Sequence, residues 1–193
     1  ANVQILPVQF LSARGSGTLE GALKAIDYST SRGVDIMSNS WGGGGRSEAL
    51  FEAIKRAEQA GIVFVAAAGN ESNDNDANPV YPANYKADNV ISVGAMDGKG
   101  KKASFSNYGA NTVHVFAPGV NIYSTVTNNR YSKMSGTSMA CPHVSGIVGL
   151  LLSMEPNLSV NDVKQRLMST STESTELDQY TASGYADAAN ALQ

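Results

Sequence analysis

The sequence is poor in residues that build metal clusters, cross-links and charged surfaces. Its 193 residues contain one cysteine, Cys141, and two histidines. A disulfide within the chain is excluded, and a cysteine-based zinc site lacks its ligands. Charged residues make up 16 %, and the net charge of −3 comes without a block of lysine and arginine. That argues against nucleic acid as a partner. No run of about 18 or more apolar residues occurs, so no membrane-spanning helix is expected. The opening "ANVQILPV" carries no basic segment, apolar core and cleavage site of a secretory leader. What is present is globular: 42 % hydrophobic residues, over a length that suits one domain with a sizeable core. Low charge with abundant Gly, Ser and Asn suits a secreted hydrolase.

The first half alternates strand and helix patterns. "VQILPVQF", "VDIMSNSW" and "IVFVAAAGN" are apolar and β-prone, and between them "TLEGALKAIDYSTSRG" and "RSEALFEAIKRAEQAG" carry apolar residues at helical spacing. This order predicts an α/β fold with a parallel sheet covered on both faces. A polar loop follows over residues 70–85, then a strand in "NVISVGAM" and short strands and turns in "ASFSNYG", "VHVFAPG" and "NIYSTV". A long helix is expected over residues 137–154, another in "SVNDVKQRLMST" with Ser159 as N-cap, and a short closing helix in "GYADAANAL". A strand at residue 1 has nothing before it to pair with, which suggests part of a larger domain.

In "SGTSMACPHVSG", Ser138 falls at the start of a helix, where backbone N–H groups lack internal partners and the dipole is positive. Pro142 is placed in about the first turn, where its missing N–H costs little. Two readings fit Ser138: a nucleophile with its own N–H as an oxyanion donor, or an ordinary capping Ser/Thr pair. A nucleophilic serine needs a base. His143 lies five residues on, roughly 140° around a helix, and is better read as a packed core histidine. His114, in "VHVFAPG", has no spacing that ties it to a nucleophile. Asn70 ends a buried strand, where it either aims an amide N–H at a developing oxyanion or makes a turn after Gly69. "SNSWGG", residues 38–43, either pairs with an extended peptide or is a flexible connection.

Together these segments resemble the subtilisin-like serine proteases, or subtilases, over essentially the whole chain. "SGTSMACPHVSG" is similar to their serine motif, "SNSWGG" to their substrate-binding strand and "AAAGNE" to the segment of their oxyanion asparagine. "YPANY…NVISVGA", "ASFSNYG", "FAPGVNIYS" and "SGYADAANAL" follow in family order. The resemblance implies a parallel-sheet α/β/α sandwich, with residues 1–193 as the C-terminal portion of one catalytic domain, incomplete at its N-terminus. It implies Ser138 as nucleophile and Asn70 as oxyanion donor. Ser40, Trp41 and Gly42 would pair with substrate backbone, Ala67, Ala68 and Gly69 would wall the pocket before the cleaved bond, and Val80 would lie near its bottom, favouring a medium apolar side chain.

The match stops at the acid and the base. The D-[ST]-G-like and HGTH-like motifs of the family do not occur, and His114 stands where many members carry an acidic residue of a weak cation site. The resemblance therefore implies a serine endopeptidase that works only with an N-terminal fragment supplying Asp and His, as a nicked two-chain enzyme. The alternatives are an isolated fragment and a non-catalytic peptide-binding or pseudoprotease module. Polypeptide substrates and a propeptide or inhibitor are the partners implied, with no nucleic acid and no membrane. No cofactor is required for the chemistry. Structural calcium is the one metal the resemblance allows, with Asp74, Asp76 and Asp88 as candidate donors that match no 12-residue loop site. Cys141 lies on roughly the same side of the helix as Ser138 and is read as a small buried residue.

Overall fold

The structure, a computed structural model, describes residues 3–193. Helices α1 (Leu19–Ser31) and α2 (Glu48–Gln59) each start on a hydroxyl cap. Thr18 Oγ1 accepts the Gly21 N–H, and Ser47 Oγ accepts the Leu50 N–H. Their apolar stripes turn to one face of a sheet built from β1 (Ile36–Asn39), β2 (Val63–Ala67), β3 (Val90–Met96) and β4 (Val115–Pro118). The four strands are parallel and lie in chain order, with Ile36 opposite Val63, Phe64 opposite Val90 and Val93 opposite Val115.

The period of a strand sorts its residues between two cores. Phe64 and Ala66 of β2 pack with Ile26, Leu50 and Ile54 under α1 and α2. Val63 and Val65 pack on the other face against Ala140, Val144 and Val148 of α3 (Thr137–Met154). Each fully buried Val or Phe contributes about 1.5–3 kcal/mol. Cover on both faces explains why β2 and β3 read as continuous apolar runs. Helix α3 is long enough and, at a mean hydropathy of 1.3, apolar enough to cross a membrane by length and composition. That apolarity is spent on the sheet, where α3 crosses all four strands. Helices α4 (Val160–Ser169) and α5 (Ala188–Ala191) close the chain on side-chain caps from Ser159 and Asp187.

One expectation is corrected, and one strand was not expected. The run read as a first strand, residues 3–10, carries no regular structure. Val3, Ile5 and Leu6 remain exposed, and β1 pairs only with β2 among the described residues. "ASFSNYG", read with its neighbours as short strands and turns, forms turns and isolated bridges. "NIYSTV" is strand β5 (Ile122–Val126), but its partner β6 (Arg130–Met134), an antiparallel return through Asn128 and Asn129 at positive φ, was not expected.

Candidate active site

The carboxyl ends of β1 and β2 and the start of α3 converge on one cleft of about 820 Å³. Ser138 is the second residue of α3 and is half-buried at the cleft edge. Its Oγ–H donates to Ser40 O at 3.2 Å. The cap of α3 is Gly136, which offers no side-chain acceptor, so the first N–H groups must find partners elsewhere. The Thr137 N–H donates to Asn70 Oδ1 at 2.8 Å, and the Thr137 hydroxyl donates to the same atom at 3.1 Å. The Ser138 N–H meets no acceptor among the described residues.

Those bonds settle which way the Asn70 amide faces. Two donors at one end require the carbonyl oxygen there, so Nδ2 is the end turned outward. Asn70 is exposed, and its Nδ2 donates to no described residue. Two unengaged donors, Asn70 Nδ2 and the Ser138 N–H, thus belong to residues that line the same cleft. Such donors stabilise negative charge that develops on a bound carbonyl oxygen.

Pro142 is the sixth residue of α3, not in its first turn. An ordinary residue there would donate its N–H to Ser138 O, four positions back. Ser40 supplies the missing donor: its Oγ–H reaches Ser138 O at 2.8 Å. The Ser40 and Ser138 segments are therefore tied by reciprocal bonds, each hydroxyl donating to the other's carbonyl.

The loop after β1 reaches across to the loop carrying Val80. Gly43 N–H donates to Tyr81 O at 3.0 Å, and a Cβ on Gly42 would stand 3.2 Å from that same oxygen. Trp41 is held by its Nε1–H on Asn39 Oδ1 and by Phe10 edge-on at 5.1 Å. Ser40, Trp41, Gly42, Ala67, Gly69, Asn70, Val80 and Ser138 all line the cleft, as grouped from the sequence. Ala68 does not. It is fully buried beside Phe116 and Leu177, because successive residues of an extended segment point to opposite sides. Glu71, Asp74 and Tyr108 line the cleft as well and were not anticipated.

Neither histidine hydrogen-bonds to Ser138. His143 is exposed on the outer side of α3 rather than packed in the core, and its Nδ1–H donates to Met139 O at 2.8 Å. His114 Nδ1 accepts the Ser92 N–H at 2.8 Å, on β3. Burial, with a smaller contribution from Lys164, pushes its pKa down to about 3. Among the described residues, no carboxylate or imidazole bonds to Ser138 Oγ.

Cys141 is fully buried, with its thiol 3.6 Å from Val65 O, and burial pushes its pKa up. Asp76 accepts five bonds from Asn111 and Thr112, the Asn111 N–H reaching both of its oxygens. Partial burial works against its charge, but those donors outweigh it and hold the carboxyl below its usual range. Asp74, Asp76 and Asp88 do not gather: among the described residues no three acidic, histidine or cysteine side chains converge. They do not fit a calcium site.

The profile of the Subtilase family matches residues 1–186. Subtilisin DY of Bacillus licheniformis is 45 % identical over 172 residues, spanning 89 % of this chain and 62 % of its own length. The thermophilic serine proteinase of Bacillus sp. (strain AK1) is 46 % identical over 156 residues, 81 % of this chain and 37 % of its own. Among solved structures, the prenylagaramide maturation protease PagA superposes with a TM-score of 0.81 at 28 % identity, over 92 % of this chain and 67 % of PagA. The chain spans less than two thirds of the length of these two curated relatives.

Proposed function

The chain belongs to the subtilase family, and from that premise we propose that it is the nucleophile-bearing part of a serine endopeptidase. The observation that carries this reading is the paired outward donors, Asn70 Nδ2 and the Ser138 N–H, set beside the Ser138 hydroxyl in one cleft. A substrate strand pairs with Ser40, Trp41 and Gly42. Ala67, Gly69 and Val80 contact the side chain before the cleaved bond. Ser138 Oγ attacks the carbonyl while a histidine takes its proton, and the two donors hold the oxyanion. The histidine returns the proton to the leaving amine, and water then hydrolyses the acyl-enzyme. The chemistry uses no cofactor. Structural calcium, carried over from the resemblance, would need donors other than Asp74, Asp76 and Asp88.

The histidine and its aspartate come, in this proposal, from an N-terminal segment of the same precursor, held as a second chain after nicking. Two features support that partner. The edge of β1 is unpaired among the described residues, and a groove of about 1420 Å³ runs between residues 3–8, β1 and the outer side of α3. An unpaired strand edge beside apolar surface is a poor surface to leave in water. Secretion belongs to the same proposal and suits the low charge of the chain.

The Ser138 hydroxyl, which among the described residues bonds to Ser40 O and to no base, also supports a second reading: a peptide-binding module without catalysis. Two measurements separate them. Intact mass spectrometry under denaturing conditions should find a second component bearing D-[ST]-G-like and HGTH-like motifs. A serine-directed phosphonate should then label Ser138 in the assembled protein. Peptide binding without labelling would leave only the second reading.

A further inference from the structure

The turn that presents Asn70 is built on a buried amide far along the chain. Asn107 and Asn75 are both fully buried, and their side chains are hydrogen-bonded throughout. Asn107 Oδ1 accepts the Glu71 N–H at 2.8 Å and the Asn73 N–H at 3.0 Å. Its Nδ2, with two hydrogens, lies 3.1 Å from Ala68 O, 3.1 Å from Asn75 Oδ1 and 3.0 Å from Glu71 Oε2, so two of these acceptors share one hydrogen. That same Glu71 oxygen accepts the Asn70 N–H at 2.8 Å. The Asn107 N–H itself donates to Gly69 O at 3.0 Å. The approach is so close that a Cβ on Gly69 would collide with Asn107 Nδ2, and Gly69 sits at φ +113°.

Asn70 is therefore gripped twice. Thr137 fixes its side-chain oxygen, and Glu71, oriented by Asn107, fixes its backbone N–H. The first grip sets which way the amide faces. The second sets where the residue stands relative to the start of α3. We infer that Asn107 is a positioning residue for Asn70, acting through the Glu71 carboxylate. Asn107 and Asn75 are the buried, fully bonded base of this network, where breaking a bond strands a desolvated partner, and the exposed Glu71 carboxylate takes its orientation from that base. A donor aimed at a transition-state oxyanion gains from being held in place. The inference rests on the protease reading for its catalytic consequence, but not for the coupling itself.

Asn107→Asp separates the links. It keeps an acceptor for Glu71 and Asn73, removes the Nδ2 donor and sets a second carboxylate against Glu71. Glu71→Gln added to it restores a donor–acceptor pair. The first measurement is amide hydrogen exchange in the full chain. Asn70 should exchange about 10-fold faster or more in N107D, with β2 and β3 unchanged, and return towards wild type in N107D/E71Q. Unchanged Asn70 exchange in N107D would overturn the inference. The second is peptide hydrolysis by the two-chain protein. N107D should lower kcat about 10- to 100-fold with KM within about 2-fold, since a donor misplaced by about 1 Å loses that much. The effect should vanish in an Asn70→Ala background. A loss of kcat that persists there, or that E71Q does not relieve, would mean a structural role and no positioning one. A wild-type assembly that neither hydrolyses peptides nor accepts a phosphonate would overturn the protease reading, while the exchange measurement still decides the coupling.

Discussion

Ser40 should be worth more to this chain than an exposed serine ordinarily is, and Pro142 is the reason. Pro142 has no N–H, so Ser138 O lacks its intrahelical donor, and the Ser40 hydroxyl fills the vacancy at 2.8 Å. A hydrogen bond of this kind contributes about 1 kcal/mol net. Ser40→Ala should therefore destabilise by about 1 kcal/mol. The larger penalty for a stranded buried carbonyl does not apply in full, because Ser138 is only half-buried. Pro142→Ala restores the helical donor and should stabilise, by up to about 3 kcal/mol on helix propensity. In that background Ser40→Ala should cost close to nothing, giving a coupling of about 1 kcal/mol. The assay is urea unfolding of four proteins: wild type, both single variants and the double. With a slope of about 1–3 kcal/mol per molar urea, 1 kcal/mol moves the midpoint by roughly 0.3–1 M. Additivity within about 0.3 kcal/mol would refute the argument that Ser40 stands in for the missing N–H.

Other outcomes follow from the same network and from the buried groups. Gly69→Ala should destabilise by about 2–6 kcal/mol, from strain at φ +113° and overlap with Asn107, and an unchanged urea midpoint would contradict both causes. His114 stays neutral in the folded chain down to about pH 3, whereas the unfolded chain takes up that proton below its ordinary value of 6.5. The unfolded state then binds more protons between those limits, so stability is lost as pH falls through that window. His114→Asn keeps an acceptor for the Ser92 N–H and should flatten this acid limb; the wild-type pH slope in the variant would assign it to other groups. Cys141, fully buried with a raised thiol pKa, should react with an aromatic disulfide reagent only on unfolding, and rapid native labelling would show an open path to it.

Much of the architecture was legible because its signals are local. Helix α3 was expected at the bounds it has, and Ser159 caps α4 as read. The apolar runs of β2 and β3 announced a sheet buried on both faces. The first segment misled because β propensity says only that residues 3–10 suit a pleat, while a strand also needs a neighbour. His143 misled for a related reason. Periodicity gave its direction relative to Ser138, but which side of α3 meets the sheet is a matter of packing. Strand β6 was missed because its sequence, Arg130–Met134, is exposed throughout and carries no alternation.

Within the cleft, the sequence by itself determined the chemical types: a serine at a helix start and an asparagine at a strand end. It also determined that a glycine, Gly69, precedes Asn70 at the turn. Only the tertiary structure decided that Thr137 turns the Asn70 amide outward, that Ser40 replaces the donor Pro142 lacks, and that Asn107 holds the turn from 37 positions downstream. The physical reason is that a hydrogen bond across a fold leaves no trace in spacing. Composition and periodicity record what each segment does to itself, and these bonds join segments that meet only once the sheet has assembled.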